Sequence, residues 1–291
     1  MRRTLFRVSA VATALLSVAA VGAVCAPSAS ADTIGDTART LLTKNKGAVV
    51  QFTVVVRISA GGQEQNIDQE AKGVVIDPSG LIVTTNYSID PTSILASLGG
   101  EEASQVTSKV VSVRILTPEG EEIPAKVVLR DTDRNLAFLR PITPMKAPLP
   151  FVDLKSGGKA QMGDVVFIFG RMGKSGNRGA EINYTRITGI VERPRLQYVI
   201  QPLSSGSDFG AMAFNEQGLP LGLLSFRVAP GSRRRSNSDA LMIVVPTEDI
   251  AEIGAQAPQV KDVKDEVVAP IAKPAAPGKV TPAKPAAPPK K

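Results

Sequence analysis

The 291 residues carry a formal charge of +7, with one cysteine, no histidine and no tryptophan. That length suits one medium domain, or two small barrels sharing an interface, plus tails, with a core built on Val, Ile, Leu and Ala. Without histidine, and with Cys25 just after an N-terminal apolar run, the chain lacks a zinc ligand set, thiolate chemistry and a disulfide framework, and no calcium-loop pattern appears, so no metal and no cofactor are expected.

In chain order, Arg2, Arg3 and Arg7 precede an apolar run from Val8 to Val24, and Ala29-Ser30-Ala31 offers the small residues a signal peptidase reads. Residues 1–31 are expected to be a signal peptide cut after Ala31, taking Cys25 with it. The run is short for a bilayer and is followed by Pro27, so no transmembrane span is expected after cleavage. Val24 stands before Cys25 where a lipidation motif wants a small residue. Export without disulfides points to the periplasm, the cell envelope or secretion. Loss of the three leader arginines would leave +4, and residues 258–291 hold seven lysines against three acids, so the tail carries that whole excess. A folded body near neutrality has no electrostatic footprint for nucleic acid.

A short helix is expected over Asp36 to Lys44. Ala48 to Ile58 reads as a Val-rich strand, followed by a turn at Gly61-Gly62. Lys72 to Ile76 and Leu81 to Thr85 flank Asp77-Pro78-Ser79-Gly80, which is turn chemistry with Pro early and Gly late. Residues 91–109 form a polar insertion of open structure. Val110 to Leu116, Ala125 to Arg130 and Leu136 to Leu139 are further strands. A Pro-punctuated crossing, Pro144 to Pro150, separates a first barrel, about 45–143, from a second, about 151–246. In the second, strands are expected at Val165 to Phe169, Ile182 to Val191, Tyr198 to Gln201, Ala211 to Asn215, Leu219 to Phe226 and Leu241 to Val245. Many short strands with little helix indicate barrels or a sandwich. Thr247 is the expected N-cap of a closing helix over 247–256. Beyond Pro258 the Pro/Ala/Lys repeats predict an extended, disordered tail.

Five stretches in this order carry a resemblance: Gly73 to Tyr87, Ile123 to Leu139, Met162 to Gly170, Gly206 to Gly222 and Ile243 to Pro246. Together they resemble the trypsin-like serine proteases of the HtrA group over about Ala38 to Ala255. The resemblance implies an all-β fold of two six-stranded antiparallel barrels with a short C-terminal helix. It also places the three catalytic positions, and this chain departs from the family at each. Tyr87 stands where the histidine base belongs, Asn135 where the orienting aspartate belongs, and Phe209 where the nucleophilic serine belongs. A phenol of ordinary pKa near ~10 is a poor proton acceptor at neutral pH. Phe209 has no nucleophilic atom, and Asn135 has no charge to stabilise an imidazolium. Ser207 and Asp208 are the remnants of the oxyanion loop, with Ser207 replacing a glycine that lets the backbone N–H turn toward the oxyanion. Family members usually carry a peptide-binding PDZ domain after the barrels; only tail follows the closing helix here, and none is expected.

Three readings of function follow. The first is an exported pseudoprotease that binds, scaffolds or regulates an unknown envelope protein, its old site filled by Tyr87 and Phe209 or used by them as an aromatic ligand-binding pair. The second is a serine-type endopeptidase with a displaced catalytic set, such as Ser207 with a lysine base; no lysine lies near that motif in the sequence. The third is a tethering protein whose Lys-Pro-Ala tail adheres to anionic wall polymer. Arg233-Arg234-Arg235, in an expected loop, is a possible anion contact. Gly170-Arg171-Met172-Gly173-Lys174-Ser175 has two residues between its glycines where a phosphate loop has four, so it reads as a surface loop. Asp131 and Asp133 read as turn caps.

Overall fold

A computed structural model describes residues 32–93, 106–117, 121–145, 147–202, 208–228 and 240–263. The chain divides into two units, 1–36 and 37–291. Of the first, residues 32–36 are described: they open helix α1 (Thr33–Asn45), where Asp32 Oδ1 accepts from Gly35 N at 3.0 Å. All other described residues belong to the second unit.

Twelve strands of that unit close into two six-stranded antiparallel barrels. The first contains β1 (Val49–Ala60), β2 (Gln63–Val75), β3 (Ile82–Thr85), β4 (Thr107–Leu116), β5 (Glu122–Asp131) and β6 (Leu136–Pro141), in the order β1-β2-β3-β6-β5-β4. Alternate residues of β1 – Val50, Phe52, Val54 and Val56 – meet Ile82, Ile115 and Leu139 in its core, as a period of two requires. β2 begins nine residues before the strand expected at Lys72. Its polar first half carries no apolar alternation to announce it. It is a strand because Gly61 and Gly62, at φ 58° and 81°, fold it back on β1 in unbroken register from Ala60↔Gln63 to Val49↔Val74.

The second barrel contains β7 (Val165–Arg171), β8 (Ala180–Val191), β9 (Gln197–Ile200), β10 (Met212–Phe214), β11 (Pro220–Val228) and β12 (Ala240–Pro246), in the order β10-β11-β12-β9-β8-β7. Val166, Ile168, Ile187, Tyr198, Ile200, Leu221, Leu224 and Val244 fill it. Closing both sheets removes the free edges that would invite pairing with other chains.

Two sequence expectations change. The closing helix, α3 (Thr247–Gly254), is not capped by Thr247. Pro246, still paired with Gly222 at the end of β12, takes the N-cap position, and Thr247 is the first helical residue. Its Oγ1 donates to Glu248 Oε2 at 3.2 Å. The second is widened rather than overturned: residues 172–175 are exposed, as a surface loop requires, and the segment 170–178 also clamps the barrels together. Arg171 ends β7, and its guanidinium donates to Val49 O at 2.6 Å and Lys46 O at 2.8 Å. Gln51 Nε2 donates to Met172 O at 2.7 Å, and Arg178 reaches Glu70 at 2.6 Å. The planar fork of an arginine suits this task, because it satisfies several carbonyls at once. With its donors so engaged, Arg171 is not available to cradle a phosphate.

Candidate functional site

The site forms where β3, the β5–β6 turn and β11 converge. β3 ends at Thr85, whose Oγ1 accepts from Ser88 N at 3.2 Å and starts the single-turn helix α2 (Asn86–Ile89). That turn presents Tyr87, half-buried. Between β5 and β6, Asp131 Oδ1 accepts from Arg134 N at 2.9 Å and Oδ2 from its guanidinium at 2.7 Å, which is the turn-capping role expected of it. The turn leaves Asn135 at φ 54°, a left-handed conformation that asparagine tolerates better than most residues.

Asn135 then joins three elements. Its Oδ1 accepts from Tyr87 N at 3.0 Å, and its Nδ2 donates to Ser225 Oγ at 3.0 Å on β11 of the other barrel. Its carbonyl accepts from Asn86 N at 3.0 Å. The structure thus brings Tyr87 and Asn135 into direct contact, backbone to side chain.

Phe209 arrives from the second barrel. It lies in the segment 208–210 before β10 and packs on that barrel's core. Its ring meets Phe226 edge to face, centroids 5.2 Å apart at 62°. Phe226 in turn meets Tyr87 at 5.3 Å and 83°. Tyr87, Phe226 and Phe209 therefore form one row of rings running from the first barrel to the second, each ring only partly covered. Such pairs gain roughly 0.5–1.5 kcal/mol beyond their area burial.

Asp208 points elsewhere. Its side chain is 3% exposed, and its Oδ1 lies 3.0 Å from Nζ of Lys72, itself 4% exposed. Glu181 Oε2 stands 3.7 Å from the same nitrogen. Asp208 is a bolt between the segment 208–210 and β2. Gly210 completes the bolt: at φ 86°, its N donates to Leu224 O at 3.0 Å, and a Cβ there would overlap Lys72 O. Sequence reading looked for a lysine close to this motif along the chain. The one that reaches it is 136 residues away. Its signal was a lone charge opening the apolar run Gly73-Val74-Val75. Ser225 and Phe226 carried no signal of their own. Ser207 and Arg233-Arg234-Arg235 lie outside the described residues.

Chemically the described site offers a carboxamide and three rings, one of them a phenol, while the Ser225 hydroxyl beneath them is fully buried. The carboxamide does not titrate near neutral pH, and Phe209 cannot attack a carbonyl. None of the curated proteins compared matches this chain. The family model of the trypsin-like peptidase domain matches residues 71–223, just over half the chain, a span that contains Tyr87, Asn135 and Phe209. With two closed six-stranded barrels and that match, the chain belongs to the family of trypsin-like peptidase domains.

Proposed function

We propose that this chain is an exported, catalytically inactive serine-protease homologue of HtrA-like descent that works as a binding, scaffolding or regulatory module in the cell envelope. The observation that supports the reading is what surrounds the three positions that the resemblance makes catalytic. Tyr87 and Phe209 lean on Phe226, and the hydrogen bonds of the Asn135 side chain go to a backbone N–H and to Ser225. On this reading those positions no longer carry the groups that would transfer a proton. What the site presents instead is an apolar shelf for a partner's side chain. The leader-like residues 1–31 support export.

The test is chemical. The purified exported chain should leave unfolded casein intact and should not react with a fluorophosphonate probe. Stoichiometric labelling of any serine would replace this reading with a displaced catalytic set. In that case Lys72, 3.0 Å from Asp208 in the nucleophile loop, would be the first base to examine.

A further inference from the structure

After α3 the chain does not leave the body. Arg140 Nε donates to Pro258 O at 3.2 Å, and Lys126 Nζ donates to Val263 O at 2.7 Å. Arg140 and Lys126 are register partners on β6 and β5. From 258 to 263 the chain therefore moves across the outside of the first barrel by one strand. In the barrel order the next strands in that direction are β4 and then β1.

A groove of about 750 Å³ lies in that path, with Val260 at its lip. Arg57 of β1, Lys109, Val111 and Arg114 of β4, and Lys126 of β5 line it. Val111 is 47% exposed and sits in a β-bulge between the pairs Val56↔Val110 and Val55↔Ser112. Lys109 has no ion-pair partner among the described residues, and Arg57 and Arg114 make exposed pairs with Glu64 and Glu122 that a second carboxylate can share. The groove is thus basic with an apolar floor. The residues that follow Val263 are Lys264, Asp265, Glu266, Val267 and Val268: two carboxylates, then two β-branched apolar residues. Five extended residues span about 16 Å, and two strand spacings need only about 10 Å.

We infer that residues 264–268 dock in this groove of their own chain. Asp265 and Glu266 face Lys109 and Arg114, and Val267 and Val268 cover Val111. The Lys-Pro-Ala repeats are then launched from the outer face of the first barrel and not from the end of α3. Ala269-Pro270 ends the docked stretch, because proline removes a donor and fixes an extended turn-off.

Hydrogen exchange on the purified exported chain tests this. The Val267 and Val268 amides should exchange at least about tenfold more slowly than those of the repeats from 275 to 287. Lys109→Glu with Val111→Asp should return them to the rate of the repeats while the melting temperature of the barrels stays put. Lys109→Glu alone should do so in part. Equal rates for Val267, Val268 and the repeats in the unaltered chain would overturn the inference. So would protection that grows with protein concentration, which would make a second copy the occupant.

Discussion

The side chain of Asn135 accepts at one end and donates at the other, so the identity of its two terminal atoms matters less than their number. Aspartate can accept from Tyr87 N in the same place, and the Ser225 hydroxyl can rotate to donate to the second oxygen. Asn135→Asp should therefore leave the urea midpoint nearly unchanged. Asn135→Ala should lower stability by roughly 1–3 kcal/mol, since it loses both bonds and holds a residue less tolerant of the left-handed region at φ 54°. A midpoint as low for the aspartate variant as for alanine would show that the carboxamide itself is required. At Phe209 the ring is half-buried, so Phe209→Ala should cost about 2 kcal/mol, short of the roughly 3–5 seen for fully buried rings. Phe209→Ser restores a hydroxyl but no base, and should remain inert toward fluorophosphonate. Labelling of that variant would mean that another group in the cleft can take the proton.

Among elements, the contact between β2 and the segment 208–210 depends on the pair Lys72–Asp208. Burying two charges is costly, and their attraction offsets the cost only while both are present. Lys72→Ala should therefore destabilise by on the order of 3 kcal/mol, whereas Lys72→Met with Asp208→Leu should recover most of that loss. Chemical denaturation of the single and double variants checks the sign; equal losses in both would show that packing, not charge, holds the loop. Helix α3 is fastened by Arg134, whose guanidinium meets Glu252 at 2.9 Å and Asp249 at 3.6 Å. Burial pushes the Asp249 carboxyl above its usual range, and Arg134 only partly opposes this. Its folded value then exceeds its unfolded value. The associated stability is present at pH below the unfolded value and is lost as the pH rises through the folded one. Asp249→Asn should accordingly gain melting temperature relative to the parent at neutral pH, and the gain should fade as the pH falls below about 4. A gain that persists at low pH would assign it to packing.

At the scale of the molecule, the barrels are joined by Asn135–Ser225, Lys72–Asp208, Gln51–Met172, Arg178–Glu70 and the Arg171 contacts with Val49 and Lys46. So many bonds crossing one interface should make unfolding a single calorimetric transition. Arg171→Ala combined with Lys72→Met should split it in two; a single transition in that variant would place the coupling elsewhere. The tail belongs to the same scale. Because Pro258 O and Val263 O are bonded to the first barrel, a truncation meant to spare the body should follow Val268, past the proposed docking stretch. That cut should leave the melting temperature within error, and if the basic repeats bind anionic wall polymer, as their lysines lead us to propose, it should abolish that salt-sensitive binding. Undiminished binding at low salt would reduce the repeats to a spacer.

The alternation of Val50, Phe52, Val54 and Val56, the Pro-Ser-Gly turn before β3 and the run of short strands in the second half are local signals; they announced strands and left barrels or a sandwich open, and the resemblance carried by five ordered motifs chose two barrels. The order of motifs, read through the resemblance, singled out Tyr87, Asn135 and Phe209, which the fold gathers around Phe226 and Ser225, and the absence of histidine is a property of composition alone. What tertiary structure decided is everything that joins residues far apart in the chain. The polar half of β2 is a strand only because β1 offers it a ladder. Phe226 matters only because closure of the second barrel sets it between two other rings. Lys72 and Asp208 find each other across 136 residues, a separation over which periodicity carries no information. Local preference is written in spacing along the chain, whereas an ion pair between barrels is written in how those barrels pack.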